Sequence, residues 1–365
     1  IVLILILQLS FTTLYSQEKK ALSHDDYDSW NNLESQQISH SGNWVIYEAN
    51  PQDGDGVLWL YDVPDDEFKS FKRGYKAKIA SNDSFIAFSI KVQKDTLRKA
   101  KLDGKIKDKL PKDSLGIYLI DADSLILIPR VKSFKVPEEN KSWLAYLLEK
   151  ELPVEDTAKL ADTAAAPAEE KNTEEKKPEK KQDGNTLVVH DPLNGEHVRF
   201  KHVSEYSFSK NGGVLSFITT RKDSIDSVAV HCIIYPGLEL KTIYQGPGYA
   251  KKAIPDEEGL QLAYMLTADT GKAKVYDLHL WSVEKGKDLK VIDKENPAMP
   301  EGWCVSENGR LYFSENGKRL FFGTAAIPEE EPKDTLTDDE KVSVDVWNWK
   351  DPLLQPQQLK QLEEE

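Results

Sequence analysis

Over 365 residues, 62 Asp and Glu outweigh 48 Lys and Arg, leaving a net charge of −14. An acidic chain with no concentrated basic face repels polyanions, which speaks against nucleic acid as a partner. Its two cysteines, Cys232 and Cys304, cannot build a metal framework; they read as buried thiols in separate strands, with a disulfide between them as the alternative.

Residues 1–16 carry no charge, and Ile1 to Leu7 is an unbroken aliphatic run, too short to cross a membrane. With the small residue Ser16 at its end, this stretch reads as a truncated signal peptide, which makes the protein exported, periplasmic or secreted. An uncleaved membrane anchor is the alternative. Residues 17–33 form a polar lead-in.

From residue 34 one pattern organises the chain. It is clearest at Phe313 to Phe322, where an apolar residue, a polar turn ending in Asn316-Gly317 and a second apolar run succeed one another. Gly accepts positive φ without penalty, so this is what a tight turn feeding a buried strand requires. Further copies start at Ile38, Ile79, Val136, Phe208 and Ile254, making six. Most are followed by a second β-patterned run ending near an acidic turn, as at Leu58 to Asp62 and Ile117 to Asp121, and then by a third. A repeat of roughly 40 residues or more with about four short strands is the signature of a propeller blade. The expectation is therefore an all-β fold, a β-propeller of about six four-stranded blades over 34–365; a β-sandwich or a run of β-rich domains is the alternative.

The first blade, with Trp30 placed to cap it, runs through Trp59 and Tyr61 to Phe71. The second is interrupted by a charged insertion at 91–112 with nine Lys or Arg residues, read as a solvated helix or loop, or as a lid or docking element. The third carries Trp143 to Tyr146 as its buried strand and then a stretch, 151–185, of ten acidic and six basic residues with no aromatic. Such a segment buries too little apolar area to offset its ordering entropy and is expected to be disordered. Asn194-Gly195 marks a hairpin whose second arm, Val198 to Phe208, leads into the fourth blade. Val228 to Tyr235, Leu262 to Leu266, Tyr276 to Trp281, Leu289 to Ile292 and Val342 to Trp349 supply later strands, and the chain reaches a charged, helix-like tail at Leu362 to Glu365.

No Gly-x-Ser-x-Gly, His-Glu-x-x-His, phosphate loop or dinucleotide fingerprint occurs in the sequence. His190, His197 and His202 flank the predicted hairpin without repeated ligand spacing, so they read as ordinary histidines rather than metal ligands. The acidic pairs Glu138-Glu139 and Glu257-Glu258 fall in predicted turns, where carboxylates are well hydrated; a site for a substrate amine is the sharper alternative. Trp59, Trp143, Trp281, Trp347 and Trp349 sit at strand period and read as core. No catalytic, cofactor-binding or metal residue is assigned.

The uncharged start, the Ser-x-Asn-Gly-Lys-x-Leu-x-Phe blade openings and the stretch Val344 to Pro352 followed by Leu354 to Gln358 resemble the N-terminal propeller of exported bacterial serine peptidases of the prolyl oligopeptidase family. The resemblance covers the chain after residue 30. It implies a non-catalytic propeller portion that gates or positions peptide substrates for a C-terminal α/β-hydrolase domain, in a parent protein that is a serine peptidase. The sequence has no match to the Glu pair with which dipeptidyl aminopeptidases of that family hold a substrate's N-terminus. A self-contained TolB-like periplasmic propeller, acting as a protein-interaction module, is the other reading.

Overall fold

The computed structural model describes residues 22–105, 107–139, 142–150, 184–222, 226–269, 271, 273–328 and 349–364. The chain divides into two units, 1–327 and 328–365.

The first unit is built from antiparallel meanders. A helical turn, α1 (His24–Tyr27), precedes β1 (Asn31–Ile38), β2 (Trp44–Pro51), β3 (Val57–Asp62) and β4 (Glu67–Lys72), which form one four-stranded sheet in sequence order. β1 starts at Asn31, so the first blade reaches back into the stretch read as a lead-in. The second sheet is β5 (Gly74–Ile79), β6 (Phe85–Ile90), β7 (Ser114–Leu119) and β8 (Ser124–Ile128). Between β6 and β7 the charged insertion contains the helix α2 (Lys94–Leu102), pinned to the β2–β3 loop by an ion pair from Lys94 to Asp53.

The third and fourth blades share a strand. β9 (Val131–Lys135), β10 (Leu144–Leu148), β11 (Asn185–Asp191), β12 (Glu196–Phe208), β13 (Val214–Lys222), β14 (Asp226–Ile234) and β15 (Glu239–Pro247) make one seven-stranded sheet. β12 pairs with β11 up to Val203 and with β13 from Val203 onward, so it leaves one blade as its outer strand and enters the next as its inner one. Residues 151–183, most of the insertion expected to be disordered, lie outside the described residues, and Asn185 already belongs to β11. The fifth sheet is β16 (Tyr249–Pro255), β17 (Gln261–Thr267), β18 (Asp277–Ser282) and β19 (Lys287–Ile292). A sixth copy contributes a hairpin in which β20 (Trp303–Val305) pairs with β23 (Thr324–Ala326), and β21 (Leu311–Phe313) with β22 (Leu320–Phe322). The strand expected at 342–349 lies outside the described residues except for Trp349.

The core explains why the strands read as unbroken apolar runs. A sheet packed between two others buries both faces. Along β17, Leu262, Tyr264 and Leu266 face the fourth blade while Ala263 and Met265 face the sixth. Among the described residues five such clusters occur, one between each consecutive pair of blades. This is the layered packing of a β-propeller, and it is the fold the repeat predicts.

The second unit contains α3 (Gln355–Glu364), which the helix-like tail anticipates.

Candidate functional site: the central channel

The blade-opening turn is the same structure five times over. With Ser39, Ala80, Ser209, Asp256 or Ser314 as first residue, its amide donates to the carbonyl five residues on, and its carbonyl accepts from the amide three residues on. The residue three positions on has positive φ each time: Gly42, Asp83, Gly212, Gly259 and Gly317, at 79°, 56°, 65°, 70° and 65°. In four copies the leading side chain also accepts the amide five residues on, as Ser209 Oγ does from Val214 at 3.0 Å. That bond is why Ser or Asp heads the pattern. The turn at 138–141 is described only as far as Glu139.

Neighbouring turns are bonded to one another. Ser41 donates to Asp83; Asn82 Nδ2 to Ser142 Oγ at 2.8 Å; the Glu139 amide to the Lys210 carbonyl at 2.9 Å; the Asn211 amide to the Glu257 carbonyl at 3.1 Å; and Gln261 Nε2 to the Gly317 carbonyl at 3.0 Å. Turns and inner strands together enclose a cavity of about 890 Å³ to which every blade contributes, through Gln37, Lys78, Lys135, Lys210, Ile254 and Tyr312 in blade order. This is the central channel of the propeller.

Inner strands carry a register shift where they line the channel, between Glu34 and Gln37, Tyr75 and Lys78, Val203 and Glu205, and Lys251 and Ile254. A bulge frees backbone amides from the ladder. Two of them bond to carboxylates from the preceding blade or strand: Lys76 N to Glu48 Oε1 and Lys252 N to Glu205 Oε2, both at 2.8 Å. Glu48 is buried, and this bond is what a buried carboxylate requires.

One carboxylate of each acidic pair, Glu139 and Glu257, is tied to a lysine, whereas Glu138 lines the cavity with no ion pair among the described residues. Lys210, in the fourth turn, lies 3.1 Å from Glu257 and 3.6 Å from Glu139, bridging the turns of the third and fifth blades; hydrogen bonding to Glu257 leads the causes that raise its pKa. Asp256 accepts from the amides of Leu260 and Gln261 at 2.7 and 3.1 Å. Sequence spacing missed this convergence, since residues 139, 210 and 257 meet only through the blade packing.

Lys135 reaches into the channel, donating to the Tyr206 carbonyl at 2.8 Å with its ammonium 5.1 Å from the centre of that ring. The protein surrounding it lowers its pKa, an effect Glu205 opposes. Burial pushes Tyr206 up to about 12, against a hydrogen bond with Ser133 that pulls it down.

His190 and His197 face each other across β11 and β12 with rings 6.1 Å apart, whereas His202 sits at the bend of β12 with φ at 62°. Among the described residues no three His, Cys, Asp or Glu side chains are grouped to hold a metal ion. Cys232 and Cys304 are buried free thiols on β14 and β20, and burial raises both pKa values, Cys232 to about 12. Trp143 and Trp281 are core and Trp59 is half-buried. Trp349 departs from expectation: it is 89% exposed, with the Lys350 ammonium 5.4 Å from its ring, because no described sheet covers it. Trp347 lies outside the described residues.

These features define a β-propeller with an open channel whose wall offers charge and apolar surface. No family model matches the chain, and no curated protein matches it significantly. Solved structures do. The chain is similar to the β-propeller domain of the Trilobed protease from Pyrococcus furiosus at 8% identity, covering 80% of this chain and 79% of that one, with a TM-score of 0.41. Similar too are Pyrococcus horikoshii acylaminoacyl peptidase (13% identity, 80% of this chain and 42% of that one, TM-score 0.41) and an oligogalacturonate lyase in complex with manganese (10%, 82% and 78%, TM-score 0.43).

Proposed function

We infer that this chain is the propeller portion of a serine peptidase of the prolyl oligopeptidase family, gating and positioning peptides for a C-terminal α/β-hydrolase domain. The observation that carries this reading is the channel: a cavity of about 890 Å³, within the range of sites that hold small ligands and short segments of chain, lined by every blade. Passage and orientation suit a wall built from lysyl, seryl and aromatic side chains of the inner strands. The sequence resemblance at Val344 to Pro352 and Leu354 to Gln358 supports the same family. The uncharged first sixteen residues support export to the periplasm or the medium.

Expression in a bacterial host of the coding sequence extended upstream to its start codon and downstream past codon 365 tests this. The extended product is expected outside the cytoplasm, hydrolysing peptides and taking up an active-site serine probe, while the 365-residue chain does neither. A stop codon directly after Glu365, or turnover by the 365-residue chain, would overturn the reading. A TolB-like interaction module is the second reading, favoured by the flank of the first blade, where Tyr61 stacks on Phe68 at 4.5 Å and Phe68 is 55% exposed.

A further inference from the structure

The channel wall is basic in an acidic protein. Lys76 and Lys78 of β5 and Lys132 and Lys135 of β9 line it from two adjacent blades, and none of the four is ion-paired among the described residues. Some lysines elsewhere are paired with carboxylates, Lys69 with Asp123, Lys251 with Glu307 and Lys290 with Asp293, while others, such as Lys252 and Lys285, are not among the described residues. Within the cavity Lys210 is paired with Glu139 and Glu257; Asp256 is still charged but committed to turn amides, as Glu48 and Glu205 are to the Lys76 and Lys252 amides, which leaves Glu138 as the wall carboxylate with no partner among the described residues. Like charges gathered in a protein-walled cleft focus their field and draw in a counter-charge. The surrounding protein disfavours the charged form of Lys135, an effect Glu205 offsets in part and a further anion beside it would offset more.

Between the amines the wall is apolar, with Tyr75, Phe134, Val136, Phe208 and Phe313. Phosphate is best held by convergent bidentate donors, and no arginine lines the cavity among the described residues. Point charges spaced along the inner strands of two adjacent blades, with aromatic and aliphatic surface on the same wall, suit an extended chain bearing carboxylates on some side chains and apolar groups on others. We propose that the channel selects acidic peptide segments, with the ammonium groups of Lys76, Lys78, Lys132 and Lys135 holding Asp or Glu carboxylates. The selectivity rests on the reading of the channel as a peptide passage.

The test is fluorescence anisotropy on the whole 365-residue chain with two labelled peptides of equal length, one rich in Glu and one with Gln at each Glu position. The Glu peptide binds about tenfold tighter or more at low salt, and salt erodes the advantage. Changing all four lysines to Gln abolishes that advantage, and Lys132→Gln alone removes part of it. Changing Lys285 and Lys287, away from the channel, leaves it intact. These lysines are exposed, so circular dichroism of each variant matches the parent. Equal binding of the two peptides overturns the selectivity and leaves the passage standing. Failure of both peptides to bind overturns the passage itself, and preferential binding of an oligogalacturonate makes this a polyuronate site and overturns the proposal.

Discussion

His231 lies on β14 between two threonines, with Nε2 3.1 Å from Thr219 Oγ1 and Nδ1 3.0 Å from Thr242 Oγ1, and stacks on Phe217 at 5.0 Å. Burial lowers its pKa from 6.5 to about 4. Between those values the unfolded chain binds a proton that the folded chain refuses, so this group makes stability fall as pH drops through that window and leaves it level above and below. The slope is at most about 1.4 kcal/mol per pH unit. Urea unfolding of the parent and of His231→Gln across the window is expected to show the parent losing stability relative to the variant as pH falls; a pH-independent difference would refute the assignment. Val230-His231-Cys232 gives no local sign of any of this. The threonines arrive from β13 and β15, and only strand register brings them to the ring. The same holds for Lys210, whose two carboxylate partners belong to other blades.

The turns were legible because their chemistry is local. Ser or Asp at the head, Asn or Ser two residues on and Gly at the positive-φ position are each fixed by a hydrogen bond or a steric limit within six residues. The inner strands were not legible. β1, β5 and β9 are rich in Asn, Gln, Ser and Lys because one face lines the channel, so the apolar pattern reached only their last residues, such as Ile38 and Ile79. Passage from one blade to the next turns on a single left-handed residue, Arg73, Arg130 or His202, and on Gly248 before β16. At Gly248, with φ at 116°, a Cβ would stand 2.1 Å from the Thr267 carbonyl oxygen, whereas Gly286, with φ at 58°, opens on free space. Gly248→Ala is therefore expected to cost more than about 2 kcal/mol, from backbone strain together with overlap. Gly286→Ala should cost only about 1 kcal/mol. Thermal unfolding of the two variants decides; equal losses would mean the β15–β16 junction relaxes freely.

Stability in this fold comes from contacts between blades, since each sheet buries its faces only against its neighbours. Trp143 illustrates it: fully buried, it donates from Nε1 to the Gly212 carbonyl of the next blade at 2.9 Å and packs on Phe208 and Tyr235. Trp143→Ala is expected to cost about 3–5 kcal/mol in denaturant unfolding. Trp349→Ala, at a site 89% exposed, should change stability by no more than about 0.5 kcal/mol. A comparable loss at both sites would contradict the packing described. The sequence by itself determined the repeat, its turns and the two-faced apolar strands, because those depend on side chains within a few residues of one another. Only the tertiary structure decided which polar residues meet around the channel. Its lysines come from strands of separate blades, and nothing in the spacing of residues 76, 78, 132 and 135 records that they line one cavity.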